Sequence, residues 1–281
     1  MKHIDGKALA EAIKDNLVKE IIALGERPNL AIILVGERED SMLYVGLKEK
    51  QAKAVGIDTH LYKCDADIKE DDLLATIDFL NNDDMVDGIL IQLPLPEGLD
   101  TDKIVARMDP AKDVDGFHPK SLQKLLSSCH LEIEPPLIGV ILSMLADIKF
   151  DLSGKNVAAL VHSPILGASI KHVLECRGAN VSLLSGDEND LKVRTKAADL
   201  LISALGRPKL VTGDMVKEGA VLIDIGITRL PDGSVCGDID QASMSEKSGH
   251  ITPVPGGVGP MTIALAFKNT LALHKLRRAG K

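Results

Sequence analysis

The chain is predicted to fold as α/β, in two domains built on parallel sheets with a cleft between them. Three observations predict this. Apolar runs alternate with helical periodicity along the first hundred residues. A second such series follows a break at Glu134-Pro135-Pro136. The second series begins strand, small-residue turn, helix, strand, which is the doubly wound dinucleotide-binding pattern. Strand–helix alternation implies parallel strands, because each parallel return needs a crossover. The domains are expected at 1–137 and 138–259, a Rossmann-like unit, with a last helix over 260–281 completing the first.

In the first series, Leu9, Ile13, Leu17, Ile21 and Leu24 recur at helical spacing. Leu30 to Val35 is a continuous apolar run ending at Gly36, as a strand buried on both faces reads. Asp40 to Val55 reads as a helix, with Asp40 or Ser41 as its cap. His60 to Lys63 suits a strand, Glu70 to Leu80 a helix, and Gly88 to Gln92 a second buried strand stopped by Pro94 and Pro96. In the second series, helices are expected at Ile138–Ile148 and Ile165–Arg177. Strands are expected at Asn156–Val161, Asn180–Leu184, Leu200–Ser203 and Val221–Ile225.

Composition excludes several classes. A net charge of −8 argues against a nucleic-acid footprint, which needs clustered Lys and Arg. The basic tail Lys275, Arg277, Arg278 and Lys281 reads instead as a helix C-terminus, where cations favour the dipole. Four scattered cysteines with no Cys-x-x-Cys and no His/Cys cluster disfavour a disulfide framework or a zinc site, and no metal is expected. No apolar stretch suits a signal core or a membrane span, so a reducing, cytoplasmic setting is expected. Aromatics at 2% imply an aliphatic core without base-stacking surfaces.

Several residues could carry chemistry. Ser41, Tyr44 and Lys48 share one helix face, and that helix starts at the carboxyl edge of the first sheet. A solvated face is the simpler reading of the spacing. Position favours the other, because a lysine half-buried there loses proton affinity and can act as acid or base near neutrality. Gln92 ends a buried strand and needs a partner; it could orient water or a ligand carbonyl, or be satisfied by the next loop. Lys112-Asp113-Val114-Asp115-Gly116 carries two carboxylates two apart. It reads either as an Asx-type turn or as a loop holding one carboxylate toward donor N–H groups. Pro253 to Thr262, rich in proline and glycine, reads as a rigid loop feeding a helix N-terminus, suited to flat or anionic ligands or to a tight interdomain turn.

Together these segments resemble the 5,10-methylene-tetrahydrofolate dehydrogenase/cyclohydrolase family. The resemblance spans essentially the whole chain. It rests on Val35-Gly36 with Ser41-x-x-Tyr44-Val45-x-x-Lys48-x-Lys50, on Gly88 to Pro96, and on Lys112 to Gly116. It rests also on Asp224-Ile225-Gly226-Ile227, Gly237-Asp238, and Pro253 to Thr262. It implies a bifunctional enzyme of one-carbon metabolism. Methylene-tetrahydrofolate would lose hydride to a nicotinamide, and the methenyl product would be hydrolysed to 10-formyl-tetrahydrofolate. The catalytic residues implied are Lys48, Gln92, Tyr44 and Asp115. Ser41, Tyr44, Leu93, Pro94, Asp115, Pro255, Gly256 and Gly257 would bind folate, with Tyr44 packing on it and Asp115 holding the pterin. His162, Ser163, Pro164, Gly167, Ser185, Asp187, Ala204, Gly206, Asp224, Gly226, Ile227 and Thr228 would bind the dinucleotide. A homodimer is implied, formed through the cofactor domain.

The cofactor half departs from the pattern. The family's Gly-Arg-Ser-x-x-Val-Gly-x-Pro stands here as Val161-His162-Ser163-Pro164-Ile165-Leu166-Gly167-Ala168-Ser169. Valine replaces a glycine that lets backbone approach the cofactor, and His162 replaces the arginine that clamps a 2′-phosphate. Ser185-Gly186-Asp187-Glu188 replaces His-Ser-x-Thr, and carboxylates there suit a free ribose diol. NADP is the family's cofactor; these changes make NAD plausible. Thr228 replaces an asparagine, and Glu134-Pro135-Pro136-Leu137 replaces Pro-Cys-Thr-Pro. Two other readings stay open: a cyclohydrolase with weak or absent dehydrogenase activity, and a non-catalytic folate-binding homologue.

Overall fold

The computed structural model describes residues 1–129 and 133–279. Lys281 of the basic tail lies outside them. In chain order the elements are β1 (Lys2–His3), α1 (Gly6–Leu24), β2 (Asn29–Val35), α2 (Glu39–Val55), β3 (Asp58–Cys64), α3 (Glu70–Asn82) and β4 (Gly88–Ile91). There follow α4 (Thr101–Arg107), α5 (Pro119–Ser127), α6 (Pro136–Asp147), β5 (Asn156–Val161), α7 (Pro164–Glu175) and β6 (Asn180–Leu184). The chain closes with α8 (Leu191–Lys196), β7 (Leu200–Ala204), β8 (Val221–Asp224), β9 (Thr228–Arg229), β10 (Val235–Cys236), β11 (His250–Ile251) and α9 (Val258–Ala279). The residues form two compact units. One comprises Glu11–Lys124, Leu131–Pro136 and Ile263–Lys281, the other Met1–Ala10, Leu125–His130 and Leu137–Thr262.

The first unit holds a parallel three-stranded sheet in the order β3-β2-β4. Side chains alternate across β2, so its apolar run serves two cores. Leu30, Ile32 and Leu34 pack with Leu17, Ile21, Val45, Phe267 and Leu271. Ala31, Ile33 and Val35 pack with Leu73, Ile77, Leu80 and Ile104. A strand covered on both faces has no polar side to show, which is why it reads as continuous hydrophobicity. β2 connects outward to β3 and the chain then returns to β4 on its other side, so the order switches between β2 and β4. Ligands bind beyond the carboxyl ends of strands at such a switch.

The second unit holds a six-stranded parallel sheet in the order β1-β11-β8-β7-β5-β6. Its switch lies between β5 and β7. Ala158, Leu160, Leu201 and Leu222 lead one core, with Leu191, Val211, Val216 and Met244 packed on it. A short antiparallel pair, β9 with β10, stands apart from this sheet. Among the described residues no helix is long and apolar enough to cross a membrane.

Several local expectations are corrected. Helix α2 starts one residue early, with Arg38 in the cap position and no side-chain cap bond, so Asp40 and Ser41 lie inside the first turn. Residues Val258 and Gly259, expected in a loop, open α9, which begins two residues before the expected start at Pro260. Pro260 is tolerated there because first-turn N–H groups have no helical partner anyway. Cys129 and Cys176, 47 residues apart, are joined in a disulfide, while Cys64 and Cys236 are free. His172, one turn before Cys176, places Nε2 3.6 Å from its sulfur, so a His/Cys cluster exists that sequence spacing did not suggest.

Candidate active site

At the switch of the first sheet, two strand ends present their groups to each other. Gly36 follows β2 and the chain turns into α2, whose residues Ser41, Val45 and Ala52 are buried while Tyr44 and Lys48 are half-buried. Gln92 follows the last residue of β4, its backbone N–H donating to Ile33 in β2. Lys48 Nζ donates to Gln92 Oε1 at 2.9 Å, and Gln92 Nε2 donates to the Leu93 carbonyl at 2.8 Å. The second bond fixes the amide, so its oxygen is the face turned to the lysine. The peptide between Leu93 and Pro94 is cis. Burial pulls the Lys48 amine below its ordinary range, opposed by the nearby Asp115 carboxylate.

The loop Lys112 to Gly116 divides its two carboxylates. Asp113 is buried and accepts from the backbone N–H groups of Gly116 and His118, both at 2.9 Å. It makes the Asx-type turn. Asp115, half-buried, is the other. Burial pushes its carboxyl up to about 6, with Lys48 pulling it down and Asp113 pushing it up. The loop is held from three sides. Lys112 is buried and its Nζ donates to the carbonyls of Leu80, Asn81 and Asp83 at 2.8, 2.9 and 2.8 Å. Val114 is fully buried and bonds toward Ile89 of β4. Asn269 of α9 donates its amide to Val114 O and Glu134 O. Sequence reading missed Asn269; a buried amide in an otherwise apolar helix face was its one signal.

In the second unit, Ser163 caps α7, its Oγ accepting from Leu166 N at 3.3 Å, and Pro164 opens the helix. His162, Ser163 and Pro164 are exposed. Gly167 is buried, and a Cβ there would meet Val161 Cγ2 at 3.0 Å and Leu183 Cδ1 at 3.3 Å. The glycine thus lets α7 lie close on β5 and β6, and it makes the room that Val161 uses. Strand, exposed turn, helix N-terminus and close helix packing are the features a dinucleotide pyrophosphate needs, so these residues fit the group. Across the switch, Ala204 ends β7 and Gly206 follows, exposed. Arg207, missed in the sequence, grips Asp187 with two bonds of 2.6 and 2.9 Å. Ser185 is exposed at the end of β6.

Asp224 is placed differently from the exposed candidates. It is buried, and its oxygens accept from the N–H groups of Gly226, Asp238 and Ile239 at 3.1, 3.0 and 2.9 Å. Burial, together with Asp238, pushes it up to about 7, against the pull of those N–H donors. Asp238 accepts in turn from Ser203 Oγ and Leu205 N at 2.8 and 2.7 Å. A Cβ at Gly226 would stand 2.3 Å from Asp238 Cγ, and one at Gly237 2.0 Å from Asp224 Oδ2. Both glycines are demanded by the crossing of these carboxylates. Ile227 and Thr228 follow, Ile227 exposed and Thr228 Oγ1 donating to Gly206 O at 3.4 Å. In the proline-glycine segment Pro255 is exposed, Gly256 half-buried and Gly257 buried.

Comparison with known proteins follows the same division. Residues 4–115 match the catalytic domain of tetrahydrofolate dehydrogenase/cyclohydrolase, and residues 137–278 its NAD(P)-binding domain. The chain is 43% identical over 278 residues to the bifunctional protein FolD of Nautilia profundicola, covering 98% of each. It is similar to the crystal structure of FolD, methylenetetrahydrofolate dehydrogenase/cyclohydrolase, from Campylobacter jejuni, at 40% identity and a TM-score of 0.93 over 99% of both chains. It is also similar to the Trypanosoma brucei FolD complexed with NADP cofactor and inhibitor, at 32% identity and a TM-score of 0.92 over 99% of this chain and 97% of that one.

Proposed function

The chain belongs to the tetrahydrofolate dehydrogenase/cyclohydrolase family, and from that premise we propose how its residues divide the work. The enzyme oxidises 5,10-methylene-tetrahydrofolate to the methenyl form with a nicotinamide dinucleotide and hydrolyses the product to 10-formyl-tetrahydrofolate. One observation carries the assignment of roles: the Lys48–Gln92 hydrogen bond at the strand switch, beside Asp115.

Lys48 is the acid/base group of hydrolysis. Water adding to the cationic methenyl carbon must lose a proton, and the ring nitrogen that leaves must gain one. An amine whose proton affinity is lowered by burial can do both near neutrality. Gln92 holds Lys48 Nζ in place without adding charge. Asp115 holds the pterin by accepting its N–H groups, while Tyr44 packs on the ring, with Ser41, Leu93 and Pro94 completing the folate site of that unit; Pro255, Gly256 and Gly257 are assigned to folate by the family resemblance alone. For oxidation the dinucleotide supplies the hydride acceptor, and the protein's part is to position the two rings. Ser163, Pro164 and Gly167 hold the pyrophosphate at the α7 N-terminus. His162, Ser185 and Asp187 line the adenosine end, and Ala204, Gly206, Ile227 and Thr228 the other end, with Gly226 and Asp224 bracing that loop. His162 and the acidic loop after β6 favour NAD over NADP.

The test is kinetic. Lys48→Met is expected to lower methenyl hydrolysis by about 10²-fold or more, the usual span of general acid–base catalysis, with oxidation less affected. Hydrolysis that survives the change overturns the role of Lys48. Turnover of the native enzyme with each dinucleotide tests the cofactor; a strong NADP preference overturns NAD.

A further inference from the structure

The loop after β6 presents three donors on one side: the N–H of Ser185, its hydroxyl, and the N–H of Gly186. All three are directed at one side chain. Glu188 Oε1 accepts from Ser185 N at 2.6 Å and Ser185 Oγ at 3.1 Å, and its Oε2 accepts from Gly186 N at 2.9 Å. Consecutive N–H groups converging on an anion form a nest of the kind that binds phosphate. Gly186 has φ +89°, and a Cβ there would lie 2.7 Å from Leu205 Cδ1, so the loop conformation requires glycine and packs tightly against the end of β7.

Position gives this nest a meaning. In a doubly wound dinucleotide fold the residues ending the second strand of the unit meet the adenosine ribose, its 2′-hydroxyl in NAD or its 2′-phosphate in NADP. β6 is that second strand. The guanidinium beside it, Arg207, is held in a fork by Asp187 at 2.6 and 2.9 Å and reaches the Gly186 carbonyl at 3.4 Å. A fork bound to a carboxylate has its charge and its planar donors already used.

We propose that Glu188 is a built-in occupant of the cradle that an adenosine 2′-phosphate would need, and that with Asp187 masking Arg207 it selects the unphosphorylated dinucleotide. This rests on the reading of residues 162–207 as the adenosine end of the cofactor site. A 2′-phosphate must displace the Glu188 carboxylate and then face Asp187. A ribose diol displaces nothing and can donate to either acid.

The experiment is calorimetric binding of 2′,5′-ADP, ADP, NADP and NAD to the full chain, free of any turnover. In Glu188→Ala the nest is emptied, and 2′,5′-ADP and NADP are expected to bind about tenfold or more tighter, while ADP and NAD change less than about threefold. Asp187→Asn, which releases Arg207, is expected to add to this gain. Glu188→Gln keeps the size of the side chain without its charge and is expected to shift in the same direction if the alanine variant folds poorly. An NADP-to-NAD affinity ratio that does not move in either Glu188 variant overturns the proposal. The ratio in the native chain tests the cofactor reading separately: native preference for NADP overturns NAD, while a further gain in Glu188→Ala would still support the occupied nest.

Discussion

Lys48 and Asp115 are both half-buried and hold opposite charges, so each eases the other's cost of leaving water. The balance gives a pH dependence whose sign can be worked out. Burial pushes Asp115 up to about 6 in the folded chain, and in the proposed role it accepts pterin N–H groups in its ionised form. Folate affinity is therefore expected to fall as pH drops through about 6, read by binding titrations between pH 5 and 8. Asp115→Asn should lower affinity overall and flatten that limb. Linkage runs the opposite way for stability: a carboxyl whose pKa is raised on folding favours the folded state at acid pH, and that contribution is lost as pH rises through about 6. Gln92→Glu would place a carboxylate against Lys48 and raise its pKa, moving the rise of hydrolysis to higher pH. The residue types and order of Tyr44, Lys48, Gln92 and Asp115 were legible in the sequence. Which aspartate of the pair served the turn was not, because both alternatives fit the same spacing.

At the scale of elements, the loops that carry the site are held by side chains from distant helices and strands. Lys112 closes the C-terminal end of α3 by giving its three protons to three carbonyls. Lys112→Met would leave those acceptors buried and unpaired, and a loss of about 2–4 kcal/mol is expected in urea unfolding. The disulfide ties the segment after α5 to the end of α7. Closing a loop of 47 residues is worth about 4 kcal/mol in the chain-entropy account, so Cys129→Ser should lower the unfolding midpoint by a corresponding amount. Alkylation without reductant followed by mass spectrometry is expected to label Cys64 and Cys236 and to spare Cys129 and Cys176. Strands such as Asn156–Val161 and Asn180–Leu184 were legible to the residue, because each is an apolar-rich run bounded by turn residues. The short elements β1, α4, α8 and the β9–β10 pair were not, since two to seven residues carry too little periodicity to read.

At the scale of the molecule, each unit builds its candidate site at a strand-order switch, one within the matched catalytic domain and the other within the matched NAD(P)-binding domain. The six-stranded sheet ends in β6, whose exposed Ser182 and Leu183 leave a strand edge unprotected by charge or proline. The homodimer that the resemblance implies would use that edge. Sedimentation equilibrium is expected to give twice the chain mass of 30.1 kDa, and Ser182→Glu, which puts a charge on that edge, should shift the mass toward one chain.

The sequence by itself determined the α/β class, the two strand–helix series and the identity of the chemical groups, because periodicity and strand burial are local properties of a chain. Only the tertiary structure decided which of those groups are enclosed by hydrogen-bond donors and which are not. Asp113 and Asp224 are as acidic in the sequence as Asp115 and Asp187, yet the fold encloses the first two among backbone N–H donors and leaves the others for partners. Arg207, Asn269 and the Cys129–Cys176 pair acquired their roles from neighbours 20 to 155 residues away. Hydrogen-bond partnership and desolvation depend on distance in space, and spacing along the chain does not encode it.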